Sequence, residues 1–374
     1  MPRRMMAHQE KRQEYVDIIK GWAMLLIVVF HSSSGLFPQM FYSLIGGGMD
    51  VVIFFIVAGF FIKSERMVNP KSFLQPKLKT LYIPATVIYV CAVLLHNVFV
   101  DIGWYPLGEI HPGNGQPFHY YDVKDFALGV LKALCCAGSG ELAMGAMWFL
   151  YTLLYAMTGL SLLAWTTKKF VDDEKQREKI LIIILLTGLI ASCVLTQIIG
   201  LTINRVNVSI TAMALIYLGK KIYQDYQWTF DNTFYFIISC LIFVSVVFLQ
   251  KEHITMARNK YQDILQLCVG GGTLLYIWGY IAKRIVSTWV GKLLALIGRE
   301  SLYIMALHIV GFFICNSLME ILGVYQQGDP KGMYTYQMRG NILLFICYTL
   351  IAIGFSLVTI NLFRRLKSII IPNR

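Results

Sequence analysis

Apolar residues run along this chain in long uninterrupted blocks rather than in alternation. Ten such blocks can be marked, at about 18–36, 46–62, 81–99, 143–164, 180–200, 207–223, 232–250, 262–282, 300–319 and 341–362. About 20 apolar residues in a helix, at about 1.5 Å each, cross a hydrocarbon core of about 30 Å. Each block therefore predicts a transmembrane helix. A further apolar segment, 126–137, is too short to cross and is expected at the interface or as a re-entrant piece. No internal repeat and no low-complexity linker is visible. The expected fold is an all-α integral membrane protein, a bundle of about ten transmembrane helices.

Charge orients the bundle. With both the N- and C-termini cytoplasmic, 25 of the 33 Lys and Arg residues fall in cytoplasmic segments, the asymmetry expected of a positive-inside topology. The same rule accounts for the net charge of +12, so the basic balance does not indicate nucleic acid. A hydrophobic fraction of 57%, a charged fraction of 14% and a mean hydropathy of +0.60 exclude a soluble globular domain. The chain divides into a short basic cytoplasmic N-terminus (1–17), a membrane domain (18–362) and a basic cytoplasmic tail (363–374). Basic residues ahead of the first apolar run resemble a signal peptide, but no small-x-small cleavage site follows, and a retained first helix is expected. The eight cysteines show no metal-type spacing; most lie in apolar runs, where Cys behaves as a small hydrophobe. Neither a disulfide framework nor a bound metal is expected.

Polar groups within the apolar blocks carry the candidate chemistry. In Tyr15–Ser32, Lys20 and His31 are eleven residues apart and Asp17 and His31 fourteen, close to three and four helical turns at about 3.6 residues each. All three share one helix direction, and His31 lies about 16 Å deeper than Lys20. An ionisable residue at mid-membrane is costly and usually faces a bundle interior or wet cavity. Imidazole can exchange a proton near neutral pH and can accept an acyl group. His308 is the second membrane histidine with catalytic potential; His96, near the outer end of its block, reads as structural or interfacial. The first inner loop holds Lys63, Arg66, Lys71, Lys77 and Lys79 against one acid, Glu65, and fits either a positive-inside loop or a cradle for a phosphate-rich cofactor. Trp148 opens the fourth block, shortly after Glu141. Asp50 follows Gly46, Gly47 and Gly48 and could partner His31 or simply favour a helix N-terminus.

Outer loops 100–125 and 320–340 combine carboxylates and histidines (Asp101, Glu109, His111, His119, Asp122, Glu320, Asp329) with Trp104, Tyr105, Tyr120, Tyr121, Tyr325, Tyr334 and Tyr336. Aromatic faces beside carboxylates suit a carbohydrate; an ordinary interfacial aromatic belt has the same composition.

Taken in order, these residues resemble the acyltransferase-3 family of integral membrane acyltransferases. Asp17, Lys20 and His31 match its opening signature of an acid, a base, an apolar run and a histidine eleven residues after the base. FFIVAGFFI (54–62) resembles its second-span signature, KLKTLYIP (77–84) its basic loop before a proline, MWFL (147–150) its Trp-Phe-Leu span, and GRESLYIMALH (298–308) its late Ser-Leu…His helix. Three features depart from the pattern. Lys77 and Thr80 stand where the family often has two arginines, with Lys79 beside them. Met305 replaces the usual tyrosine. The soluble hydrolase-like domain that some members carry after the last span is not expected before Arg374. The resemblance implies O-acyl transfer from acyl-CoA, usually acetyl-CoA, to a hydroxyl of a cell-envelope glycan or its lipid-linked precursor. On that reading His31, with Asp17 and His308, is catalytic, and Lys20, Arg66, Lys77, Lys79 and Trp148 bind the donor. His31 is either a general base or an acyl carrier. The location implied is the cell (inner or plasma) membrane, with membrane lipid and the glycan acceptor as partners; the sequence leaves oligomeric state open. The competing reading from the residues is a multi-span transporter or flippase of a small molecule or lipid-linked sugar, without acyl chemistry.

Overall fold

A computed structural model describes residues 2–32, 39–111, 115–137, 140–203, 205–250, 254–324 and 342–370. Asp329, Tyr325, Tyr334 and Tyr336 of segment 320–340 lie outside them. The helices, in chain order, are α1 Pro2–Ser32, α2 Gln39–Leu44, α3 Asp50–Gly59, α4 Ser64–Met67, α5 Pro70–Lys77, α6 Ile83–Leu94, α7 His96–Asp101, α8 Val123–Leu134, α9 Trp148–Phe170, α10 Glu174–Cys193, α11 Val206–Lys220, α12 Thr233–Leu249, α13 Gly271–Ile285, α14 Trp289–Arg299, α15 Ser301–Ile321 and α16 Ile342–Ile370. No β-strand occurs among the described residues; isolated bridges pair Ile110 with Pro117 and Thr255 with Lys260.

A helix underlies each of the ten predicted blocks, but they differ in length. Six stretches are long and apolar enough to cross a membrane: Glu14–Ser32, Pro70–Leu94, Leu142–Phe170, Glu174–Ile198, Ser301–Ile321 and Ile342–Leu366. α3 and α12 are apolar but shorter, at 10 and 17 residues. The block at 46–62 gives only ten helical residues because Gly46 and Gly48 take left-handed φ values of 100° and 84°, a turn that side chains with a Cβ resist. Segment 126–137 is the amphipathic helix α8, capped by a reciprocal pair: Asp122 accepts from the Asp125 N–H and Asp125 from that of Asp122. Large apolar side chains such as Phe234, Leu241 and Phe248 on α12 stand exposed, the surface expected to meet lipid. Together with the six long apolar helices this makes the chain a membrane protein.

The described residues group into two compact units: those within Met1–Ala23, Met40–Tyr82 and Phe149–Arg299, and those within Met24–Gln39, Ile83–Trp148 and Glu300–Arg374. In the first unit two helix crossings bring backbone against backbone. A Cβ on Gly59 of α3 would lie 1.9 Å from the Ile216 carbonyl oxygen, and one on Gly219 of α11 would lie 1.7 Å from that of Ile56. The same reciprocity joins α1 and α14, where a Cβ on Gly21 would lie 1.9 Å from the Leu294 oxygen and one on Gly298 1.8 Å from that of Asp17. Small residues permit such close approach. The Gln224 amide closes the C-terminal end of α3 by donating to the carbonyls of Phe60 and Ile62, at 2.9 and 2.8 Å.

In the second unit α15 packs along α16. Phe312 and Tyr348 are buried between them, and the Tyr348 hydroxyl donates to Asn316 Oδ1. At the other end of α15, Glu300 takes a two-pronged bond from the Arg364 guanidinium, at 2.7 and 2.8 Å. Such fork-to-carboxylate pairs fix orientation as well as charge.

Candidate active site

His31 is the penultimate residue of α1, and His308 lies two turns into α15. Within the second unit their rings come to 5.2 Å between centroids, inclined at 40°. Two histidines that the sequence places 277 residues apart thus share one site. Each is held the same way. His31 Nδ1 is 2.9 Å from the Ile27 carbonyl oxygen, and His308 Nδ1 is 2.9 Å from that of Ile304. A carbonyl oxygen only accepts, so in each ring Nδ1 carries the proton and Nε2 is the basic nitrogen. His308 is fully buried, and its Nε2 has no hydrogen-bond partner among the described residues. His31 is half-buried. Beside them Ser32 Oγ lies 3.1 Å from Thr349 Oγ1, tying the end of α1 to α16.

The candidate donor-binding residues belong, except for Trp148, to the first unit. Lys20 Nζ meets Asp17 Oδ1 at 2.5 Å, one turn apart on α1. The Asp17 backbone is itself the surface on which Gly298 rests. Arg66 sits on α4, Lys77 ends α5, and Lys79 lies in the wide π-helical turn Leu78–Tyr82. None of these three side chains has a hydrogen-bond or ion-pair partner among the described residues, so their charge is available to an anion. Thr80 is turned to its own helix, donating to the Pro76 carbonyl at 2.9 Å. Trp148 starts α9, half-buried. Asp50 accepts from the Tyr42 hydroxyl at 3.2 Å and from the Val51 N–H at 2.8 Å, the bonding of a helix-start carboxylate.

Two acidic partnerships were not singled out by sequence. Glu141, 1% exposed, takes both carboxylate oxygens to within 3.2 Å of His96 Nδ1. His96 Nε2 is 3.0 Å from the His119 carbonyl. Nε2 must donate to that carbonyl, so Nδ1 is the nitrogen turned to the carboxylate. His96, read from sequence as structural or interfacial, is 2% exposed and anchored on Glu141. Tyr121 stacks on it at 3.4 Å. Several aromatic faces of segment 100–125 are thereby used internally: Tyr105 is fully buried, and Trp104 stacks on Phe313 while donating to Ser317 at 3.0 Å. Tyr120 stays exposed, its hydroxyl on Asp101 at 2.8 Å. Exposed His119 is held above the usual imidazole range by its bond to the Pro117 carbonyl and, against some desolvation, by Asp125. Asp125 is held below the carboxylate range because the Asp122 N–H and His119 outweigh its partial burial. The other partnership, Glu300 with Arg364, takes one charge out of the basic tail.

A family model described as an acyltransferase domain matches residues 13–361, nearly the whole chain. The chain belongs to the acyltransferase-3 family. It is accordingly a membrane acyltransferase. Comparisons with curated proteins and with solved structures returned no match. The matched region of this acyltransferase contains Asp17, Lys20, His31, Arg66, Lys77, Lys79, Trp148 and His308.

Proposed function

We propose that this acyltransferase is a multi-pass protein of the cell membrane that moves an acetyl group from cytoplasmic acetyl-CoA to a hydroxyl of a cell-envelope glycan or lipid-linked sugar. The observation that carries the reading is the His31–His308 pair, with a basic Nε2 on each ring, set among membrane helices. The 25-of-33 bias of Lys and Arg supports ten spans with both termini cytoplasmic, which puts segment 63–79 on the side where acyl-CoA is found. Unpaired Arg66, Lys77 and Lys79 supply positive charge for the donor phosphates there. On the opposite side exposed Tyr120 and Asp101 offer an aromatic face and a carboxylate to a sugar.

The chemistry follows from the tautomer. His31 Nε2 takes the proton of the acceptor hydroxyl as its oxygen attacks the thioester carbonyl. A C–O bond forms, the C–S bond breaks, and the CoA thiolate recovers the proton. Alternatively, Nε2 itself attacks the thioester carbonyl, an N–C bond forms and the C–S bond breaks to release the CoA thiolate. The acceptor oxygen then attacks the acetyl carbon, the N–C bond breaks to free Nε2, and the hydroxyl proton passes to the thiolate. His308 stands beside His31 in either course, able to accept a hydrogen bond at Nε2. Asp17 holds Lys20 in place. Transfer of label from radiolabelled acetyl-CoA into the envelope fraction tests the reading. We expect incorporation with wild type and none with His31→Ala at equal membrane abundance. Wild-type incorporation that survives the substitution removes His31 from the chemistry, and no incorporation from any acyl-CoA removes the donor assignment.

A further inference from the structure

A cavity of about 460 Å³ opens in the first unit among α4, α9, α10 and the end of α11, a volume within the about 300–1,000 Å³ of small-molecule sites. Its wall contains Lys220, only 4% exposed. That ammonium makes no hydrogen bond among the described residues. Its charge partner, Asp225, is 3.7 Å away and is engaged by Lys221 at 2.6 Å. Glu178, also in the wall, is likewise engaged by Lys221. The Tyr217 ring centroid is 5.7 Å from the same ammonium, so its three N–H donors are balanced by a ring face and a long ion pair but by no hydrogen-bond acceptor, an incomplete compensation for burial. Arg177, also in the wall, lacks any hydrogen-bond or ion-pair partner among the described residues. Lys168 lines the same space, and Lys221 draws Glu178 and Asp225 towards itself, so three cations, Lys168, Arg177 and Lys220, border one cavity.

The wall is not uniformly basic. Glu65 and Glu174 line it too, without ion-pair partners among the described residues. A compact inorganic anion gains nothing from them. A ligand that carries a phosphate at one point and amino or hydroxyl donors at another satisfies both sets, and a nucleotide has that distribution. The charged residues of the wall, Asp225 excepted, belong to the stretches 63–79, 168–179 and 220–221, all cytoplasmic by charge bias.

We propose that this cavity seats the 3′-phosphoadenosine end of the acyl-CoA donor, with Arg177 and Lys220 on the 3′-phosphate. The assignment deepens, and rests on, the acyl-CoA reading above. The adenine amino group and ribose hydroxyl then face Glu65 and Glu174, and the pyrophosphate is left to Arg66, Lys77 and Lys79. A phospholipid headgroup with an amine offers the same phosphate-plus-donor chemistry, so the test separates the two sources.

The experiment measures binding of CoA, 3′-dephospho-CoA, adenosine 3′,5′-bisphosphate and glycerophosphoethanolamine to purified full-length protein, wild type against Arg177→Gln and Lys220→Met. Arg177 has no partner to lose, so its variant keeps the test open if Lys220→Met fails to fold. We expect wild type to prefer CoA over the dephospho form by about tenfold or more, a difference of about 1.4 kcal/mol. The preference should fall towards unity in each variant, and adenosine 3′,5′-bisphosphate should compete with CoA. Equal wild-type binding of CoA and the dephospho form overturns the proposal, as does a preference that survives both substitutions. Competition by glycerophosphoethanolamine but not by the bisphosphate assigns the cavity to lipid and also overturns it. Variant-sensitive bisphosphate binding by a protein that transfers no acyl group sustains the cavity and sinks the transferase substrate reading, so the two failures are distinct.

Discussion

The ring centroids of His31 and His308 stand 5.2 Å apart, and each Nδ1 is tied to the carbonyl four residues earlier on its own helix. The fixed tautomer makes Nε2 the working nitrogen in both. His31→Ala is expected to reduce acyl transfer by about 10²–10⁴-fold, the usual worth of a positioned acid–base group. His308→Gln keeps an amide in the same space and is expected to cost less than His31→Ala. Rates from both variants, normalised to membrane abundance, check the order; an inactive His308→Gln beside an active His31→Ala would reverse the roles.

The glycine crossings yield a prediction of opposite signs. Gly298→Ala places a methyl 1.8 Å from the Asp17 carbonyl oxygen, and Gly219→Ala places one 1.7 Å from that of Ile56. Neither carbonyl can yield without shifting a helix, so both variants should lose at least the about 1–3 kcal/mol typical of overpacking. Gly272→Ala meets nothing within 4 Å and lies inside α13, where Ala outranks Gly by about 0.5–1 kcal/mol. Thermal unfolding in detergent should show the first two melting lower than wild type and the third no lower.

Glu141→Ala removes the only side chain bonded to His96 Nδ1 among the described residues and leaves that nitrogen buried without a partner. A buried polar group left unsatisfied costs about 1–3 kcal/mol. We expect a marked drop in thermal stability and loss of hydrogen-exchange protection at residues 96–101. A variant as stable as wild type would mean that the pair contributes no net anchoring.

His119 and Asp125 are exposed enough to titrate freely. His119 is raised above 6.5, so its contribution is complete below that value and is lost as pH rises through the folded-state value. Asp125 is lowered below 3.8, so its contribution is complete above that value and fades as pH falls further. Amides at the start of α8, corrected for intrinsic exchange, should therefore be best protected in mildly acidic solution and less so in alkali. Asp125→Asn should weaken that pH dependence, leaving the part that His119 owes to the Pro117 carbonyl.

Lys79→Ala and Lys77→Ala should raise the KM for acyl-CoA more than they lower kcat, and the effect should shrink at high salt, as screening weakens exposed charge. Lys20→Ala leaves Asp17 unpaired as well as removing a cation, so Asp17→Asn,Lys20→Ala together should be less harmful than Lys20→Ala alone. Steady-state kinetics across ionic strengths distinguishes these outcomes.

His31 and His308 were legible in the sequence because hydrocarbon makes an ionisable side chain conspicuous, and Asp17–Lys20 because one helical turn separates them. The all-helical architecture followed from the apolar blocks. What hydropathy does not register is the backbone. It counted Gly46–Gly48 into a full block, although the turn there leaves α3 ten residues. Partnerships across long separations were equally hidden. His96 and Glu141 are 45 positions apart, and Glu300 and Arg364 are 64 apart. Arg364 looked like one more charge of a basic tail. The cavity escaped for a similar reason: Lys220 and Lys221 read as a topological marker, yet one is clamped by two acids and the other is left without hydrogen bonds.

The bond from each Nδ1 to its own helix has a further result. A proton relay through imidazole needs entry at one nitrogen and exit at the other, and here the second nitrogen ends on a peptide oxygen that has no proton to hand on. His31 and His308 can therefore trade protons with a substrate through Nε2 without completing a wire across the bilayer, and the chemistry can sit in the membrane without short-circuiting the ion gradient.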